Sequence, residues 1–359
     1  MTNAIDIHTH IVPRDLPAYT GRAGAAAWPS LRPAGCGHAE VIIKDRVFRK
    51  ITKDCWDIDA RLEGMAKMGI GRQVLSPMPK LLSYDFAEDD TADLGKYING
   101  VIAEMVATAP DAMFGLGMVT LQNPERAARE LEDVRAMGLR GVEIGTNING
   151  RVIGKREFDP FFAAAEELGM SVFIHPLEPI GVDRLVGPGL LGAVIAFPCE
   201  TAFALASLIT GGLLERRPAL RLAASHGGGT FAMVEPRMTH AWGQLSSLKE
   251  LTTSSPRELA KRIYYDGLVY DTEILALLIK RFGVDRLMIG TDFPFDIYER
   301  DPISRLDALG LSAHGMDQCT YSKRRTIFRP VAGPFEILMW QPARNYFRTS
   351  RRRAAGFGP

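Results

Sequence analysis

Cysteine is scarce in this sequence, and none of it is placed for a framework. Cys36, Cys55, Cys199 and Cys319 are scattered over 359 residues without a C-x-x-C pair. That excludes the spacing of cysteine zinc sites and of small disulfide-stapled domains, and it fits a reducing compartment. Long apolar runs are also missing: no stretch approaches the roughly 18 consecutive apolar residues of a membrane span. The opening, MTNAIDIHTHIVP, has neither the basic start nor the continuous apolar core of a secretion signal, so the cytoplasm is the expected location. A charge excess is lacking too. A formal net charge of +1 gives neither nucleic acid nor a membrane surface an overall attraction. No G-x-G-x-x-G follows the first strand-like segment, which removes the main signature of a dinucleotide-binding open sheet. There is no internal repeat.

What is present is an ordinary globular composition, 46% hydrophobic and 24% charged, with enough apolar residues for a large core. Short β-branched or apolar runs occupy residues 4–10, 70–76, 114–119, 139–145, 171–175, 220–225, 262–266 and 286–291. Segments of helical period lie between them at 56–68, 93–108, 124–137, 160–168, 201–214 and 273–282. Strand–helix alternation predicts parallel strands with crossover helices, and eight strands predict an α/β fold of the (β/α)8 TIM barrel type. The barrel is expected over residues 1–312 and a different tail over 313–359. A segment inserted after the first strand, residues 13–54, carries Val41-Ile42-Ile43 and Val47-Phe48, which predict a small hairpin. Long βα loops of a barrel lie over its active site. From residue 321 onward nine Lys and Arg face one acid, Glu336. Such a composition reads as a solvated tail, or as one that meets an anionic partner or a neighbouring subunit.

Four strand ends carry the chemistry. Asp6-Ile7-His8-Thr9-His10 closes the first strand, and residues two apart on a strand point the same way, so the two imidazoles share a side. Neutral imidazole is a good ligand for divalent transition metals. His175 ends the fifth strand in Val172-Phe173-Ile174-His175-Pro176, where a lone histidine is as readily structural. His226 ends the sixth and precedes three glycines, which let a backbone approach a ligand closely. Asp292 ends the eighth in Ile289-Gly290-Thr291-Asp292. A carboxylate there is costly to bury unless it is paired or binds a metal, although capping of a following helix is the plain alternative. Because the C-terminal ends of barrel strands converge on one mouth, the four motifs form one constellation.

These residues carry a family resemblance. The stretches IDIHTH, FIHPLEP, SHGGGTFAMVEPRMTHAW and IGTDFPF, with VFRKITKDCWD and AFPCETAFALASL, resemble the metal-dependent amidohydrolase superfamily. The nearest branch is that of the aminocarboxymuconate-semialdehyde decarboxylases, and the resemblance runs from about residue 4 to about residue 312. It implies that His8, His10, His175 and Asp292 bind one divalent metal, most often zinc, with a water completing the shell. It implies that His226 is the base acting on that water, with Asp292 beside it in catalysis. It also implies that Arg49 grips a substrate carboxylate, and that Arg237 is contributed by the neighbouring subunit of a homodimer. Surface positions are the plain reading of both arginines. The fourth strand, Gly141-Val142-Glu143-Ile144-Gly145, lacks the lysine that bridges two metals in binuclear members, which favours a single ion. The chain departs from the family after Ala313, where His314-Gly315-Met316-Asp317-Gln318-Cys319 replaces the usual Gly-Asn-Ala helix.

The leading expectation is non-oxidative decarboxylation of a small unsaturated or aromatic carboxylic acid, with metal-held water and a histidine managing the proton. Hydrolysis of an amide or lactone, or hydration of an unsaturated acid, is the alternative, since the same metal water can attack a carbonyl. A third reading is a barrel whose metal is structural only.

Overall fold

The structure, a computed structural model, describes residues 4–19, 21, 28–322 and 327. Its strands in chain order are β1 (Ile5–Ile11), β2 (Ser30–Gly35), β3 (His38–Ile43), β4 (Arg46–Thr52), β5 (Arg72–Pro77), β6 (Met113–Gly117), β7 (Gly141–Gly145), β8 (Asn147–Ile148), β9 (Arg151–Val152), β10 (Ser171–His175), β11 (Arg221–Ala224), β12 (Tyr264–Asp266) and β13 (Leu287–Met288). Eight of them form one parallel sheet in the order β1-β5-β6-β7-β10-β11-β12-β13. Parallel bridges Asp6–Ile289 and Thr9–Phe293 join its two edges. The Ile7 N–H donates to the Ile289 carbonyl at 2.9 Å and the His10 N–H to that of Phe293 at 2.8 Å. The sheet is thus the expected TIM barrel.

The crossover helices are α1 (Ile58–Lys67), α2 (Glu88–Thr108), α3 (Pro124–Ala136), α4 (Asp159–Glu167), α5 (Phe197–Thr210), α6 (Leu213–Arg216), α7 (Phe231–Gln244), α8 (Pro256–Ala260) and α9 (Thr272–Phe282), followed by α10 (Pro302–Asp307) and α11 (Ala313–Asp317). Several start where a side-chain acceptor covers the free amides of the first turn: Asp57 accepts from the Ala60 N–H, Asn123 from Arg126 and Asp271 from Ile274. Helix α9 shows the burial rule in miniature, with Leu275, Leu278 and Phe282 at helical spacing on its inner face. A continuous helix over Gly192–Thr210 is long and apolar enough to cross a membrane by length and composition, with a mean hydropathy of 1.7. Its Ala204, Leu205, Leu208 and Ile209 are fully buried in the core around the barrel. Glu200 interrupts its apolar residues, so the sequence holds no long unbroken apolar run there.

The interior of the barrel is filled from alternate strand positions. Ile5, Ile7, Val74, Leu116, Phe173, Ala223, Tyr264 and Met288 make one cluster, with Ile327 buried against it. Their neighbours Leu75, Val172, Leu222, Tyr265 and Leu287 face the helices instead. This is the layered filling of a closed barrel. The first strand then changes parity. Between Asp6 and Thr9 the pairing with β5 slips by one residue, a β-bulge, because Asp6 pairs with Gln73 but Thr9 with Leu75. Ile5 and Ile7 face the interior below the bulge, and His8 and His10 face it above. Asp6 lies on the outer side, where it accepts from Gln73 Nε2 and Thr291 Oγ1.

The insertion forms more than the expected hairpin. Strands β2, β3 and β4 make a three-stranded antiparallel sheet. Its β3–β4 turn is Lys44-Asp45, both left-handed with φ of 52° and 58°, the pair of angles that matches strand twist in a two-residue turn. At the C-terminal end the chain continues through α11 and a wide turn over Gln318–Ser322, where Cys319 is buried and its Sγ meets the Val284 carbonyl. The rest of the basic tail, apart from Ile327, lies outside the described residues.

Candidate metal and active site

Four donors converge at the mouth. One ligand atom each from His8, His10, His175 and Asp292 lies within 4.8 Å of all the others, and all four residues are buried. His8 and His10 come from β1 above the bulge, His175 from the last residue of β10, and Asp292 from the segment that closes the barrel against β1. Asp292 is left-handed, with φ of 63°, and its N–H donates to the His8 carbonyl at 2.9 Å. That turn shortens the regular eighth strand relative to the expected residues 286–291 and carries the carboxylate inward.

The donor chemistry fits a divalent cation. On each imidazole the Nδ1 faces an acceptor: Asp266 Oδ2 at 2.6 Å from His8, the Pro77 carbonyl at 3.0 Å from His10, and the Pro176 carbonyl at 2.9 Å from His175. An N–H on each Nδ1 satisfies these acceptors and leaves each Nε2 as a bare lone pair. Yet the Nε2 atoms of His8 and His10 are 3.1 Å apart, and Asp292 Oδ1 is 3.1 Å from the His10 Nε2. Lone pairs and a carboxylate crowded this closely require positive charge among them. Without an ion a proton supplies it. Burial alone would lower His8, but Asp266, Asp292 and Glu143 lift it to about 9. Burial lowers His10 and takes His175 well down. Although burial would raise Asp292, His10 and His8 hold its carboxyl at about 2.

His226 stands beside this group rather than in it. Its ring centroid lies 5.1 Å from those of His8 and His175. Burial and the neighbouring His8 push it down to about 4, so it is neutral near pH 7 and can accept a proton. It is the first of four successive left-handed residues, with φ of 55° at His226 and 63°, 78° and 63° at Gly227, Gly228 and Gly229. A non-glycine residue there costs about 1–2 kcal/mol. At Gly229 the glycine is obligatory, since a Cβ would stand 2.0 Å from the Pro198 carbonyl oxygen.

Arg49 reaches the mouth from the inserted sheet. Val41 pairs with Arg49 and Ile42 with Val47, so Phe48 is an extra residue in β4, and this bulge turns the strand where Arg49 leaves it. The Arg49 guanidinium lies 4.0 Å from the centroid of the Phe295 ring, which in turn stacks on His10 at 5.2 Å and 17°. A guanidinium held by one face keeps its edge free for bidentate recognition of a carboxylate. Arg237 is different. It is exposed on α7, without a hydrogen bond or ion pair to any described residue. Glu143 lies beneath His10, 3.6 Å from its Nδ1, and Ser76 Oγ donates to its Oε2 at 2.5 Å. Burial lifts Glu143 to about 8.

Two residues of the site escape a reading of motifs. Asp266 holds His8 and also accepts from the backbone N–H groups of Gly227 at 2.8 Å and Leu268 at 3.2 Å. It ends the seventh predicted strand, so the rule that found the other four applies to it equally. Arg61, fully buried on α1, donates to the His10 carbonyl at 2.5 Å, to Gln73 Oε1 at 2.9 Å and to the Asp54 carbonyl at 3.1 Å. It braces the metal-ligand strand from outside the barrel, and no local pattern marks it.

Comparison with known proteins follows the same lines. Residues 5–329 match the family model for amidohydrolases. The 2-amino-3-carboxymuconate-6-semialdehyde decarboxylase of Dictyostelium discoideum is 34% identical over 310 residues, covering 85% of each chain. Among solved structures, the apo form of the Metarhizium anisopliae IDCase superposes with a TM-score of 0.77 at 22% identity, over 91% of this chain and 97% of that one. The 5-carboxyvanillate decarboxylase of Novosphingobium aromaticivorans, solved with manganese and a nitrobenzoic acid, superposes with a TM-score of 0.67 at 23% identity, over 77% and 83%.

Proposed function

The chain belongs to the amidohydrolase family, and we propose that within it the protein is a metal-dependent decarboxylase of a small unsaturated or aromatic carboxylic acid. The observation that carries this reading is a four-donor cluster with the His226 ring against those of His8 and His175, and Arg49 stacked on the Phe295 ring that covers His10. His8, His10, His175 and Asp292 are the ligands, and zinc is the ion we assign to them. A bound divalent cation acts as a Lewis acid that lowers the pKa of coordinated water and orients an anionic substrate. The remaining work belongs to the chain. Loss of CO2 breaks a carbon–carbon bond, and the carbon left behind must gain a proton. His226, neutral at working pH, takes up one proton from solvent and delivers it to that carbon, so that the carboxylate and the proton end as product and CO2. Arg49 grips the substrate's carboxylate with the free edge of its guanidinium.

The protein acts as a homodimer in this reading. Phe203 on α5, and Met233 and Val234 on α7, are apolar and exposed. Arg237 follows them on α7 at the three- and four-residue spacing of one helical face, so a second chain covering that face meets Arg237 as well. Four free cysteines, with Cys55 and Cys319 buried, support a cytoplasmic location.

Metal-reconstituted enzyme, assayed with CO2 detection against a panel of muconate-semialdehyde and hydroxybenzoate-type acids, tests this reading. CO2 stoichiometric with substrate loss is expected. Consumption without CO2 overturns decarboxylation in favour of hydrolysis or hydration, and stoichiometric metal with no turnover across the panel leaves a structural metal site.

A further inference from the structure

Asp266 touches both halves of the site. Its carboxylate is fully buried and divides its two oxygens between two sets of partners. Oδ2 accepts from His8 Nδ1 at 2.6 Å. Oδ1 accepts from the Gly227 N–H at 2.8 Å and the Leu268 N–H at 3.2 Å. Gly227 immediately follows His226 and lies inside the left-handed run, where no helix or ladder provides for its amide. Gly228 and Gly229 turn back onto the Ser225 and His226 carbonyls, so the Gly227 amide is the one peptide of this turn tied to another strand.

We propose that Asp266 is the positioning residue of the site. Through Oδ2 it fixes His8 with Nδ1 protonated and Nε2 bare towards the metal. Through Oδ1 it holds the strained turn that presents the His226 imidazole to the same point. One carboxylate thus sets the distance between a metal ligand and the proton-handling histidine, which come from β1 and the end of β11. The proposal rests on the assignment of His8 as a ligand and of His226 as the base.

Asp266→Asn separates the two roles. The amide keeps an oxygen for Gly227 and Leu268 but turns an NH2 group towards His8. His8 Nδ1 must then accept, which moves its proton to Nε2, the atom that faces the metal. Zinc affinity, measured by chelator competition without substrate, is expected to fall about 10–100-fold, the usual loss for a partner of a metal-bound histidine. The melting temperature of the metal-free protein is expected to fall as well, because His8 loses its buried carboxylate partner, so zinc affinity is compared at a temperature where both proteins are folded. At saturating zinc the kcat of this variant returns to within a few-fold of the parent. Asp266→Ala removes both roles, and at saturating zinc its kcat is expected to remain about 100-fold down, with little change in KM. Parent-like zinc affinity in the Asn variant overturns the Oδ2 assignment, and equal kcat for the two variants overturns the Oδ1 assignment. If the Ala variant does not fold, hydrogen exchange at the Gly227 amide of the Asn variant decides the role of Oδ1. Protection of that amide supports it, and rapid exchange overturns it. Chelator competition needs no turnover, so it stands apart from whether the reaction releases CO2.

Discussion

Each ionisable residue at the mouth is driven to one protonation state by its neighbours, and this makes single substitutions informative. His226 is buried and beside His8, which together keep it neutral to about pH 4. His226→Ala is expected to retain one metal per chain by elemental analysis and to lose about 100-fold or more in turnover, as removal of a general acid or base typically does. Loss of metal in parallel would make His226 a ligand instead. His8 gives a second test. In the metal-free protein its folded pKa is raised to about 9, so at pH 7 it holds the positive charge that the cluster requires. A metal must expel that proton, whereas His10, His175 and Asp292 are already deprotonated. About one proton is therefore released per metal bound between pH 7 and 8, and apparent affinity falls roughly tenfold per unit as the pH drops from 9. Calorimetry in buffers of different ionisation enthalpy measures this, and zero protons released would contradict the assignment of His8.

At the scale of elements, the site depends on departures from regular strand and helix. The β1 bulge exchanges the parity of the strand, so that apolar Ile5 and Ile7 and then polar His8 and His10 face the same interior. The second bulge, at Phe48, turns β4 where Arg49 leaves it. The glycine turn after β11 brings the chain against α5 closely enough that a side chain at Gly229 would collide with the Pro198 backbone. Gly229→Ala is accordingly expected to lower stability by more than about 2 kcal/mol, combining a left-handed φ with a backbone clash. Thermal unfolding of the metal-free protein checks it. A parent-like midpoint would mean that the turn can relax, and His226 would then be less firmly placed than its geometry indicates.

At the scale of the whole molecule, the barrel gathers the site at its mouth and leaves apolar residues of α5 and α7 uncovered. Phe203, Met233 and Val234 are 56%, 68% and 43% exposed, on helices that pack side by side and carry Arg237. Sedimentation is expected to give the mass of two chains. Met233→Glu should shift it to one chain, because a charge cannot be buried unpaired in an apolar interface. Decarboxylation should fall with the dimer if Arg237 completes the partner's site. A parent protein that sediments as one chain with full activity would remove Arg237 from the reaction.

Period and strand-end chemistry are properties of short segments, and the sequence by itself determined what depends on them. Alternating strands and helices specified a barrel because parallel strands need crossover helices. His8, His10, His175, His226 and Asp292 were legible because each polar group ends an apolar strand, where burial without a function is costly. Asp266 obeys the same rule, but its tyrosine-rich strand, Tyr264-Tyr265-Asp266, carries no motif to draw attention to it. Only the tertiary structure decided the rest. The bulge that turns His8 and His10 inward is a slip in pairing between two strands, and no residue of β1 announces it. Arg61 braces His10 from a helix 51 residues away in sequence, and Asp266 meets His8 across 258. Such contacts belong to pairs of distant residues: the first forms when α1 packs back over β1 and β5, and the second exists only once barrel closure has brought the first strand round to the seventh.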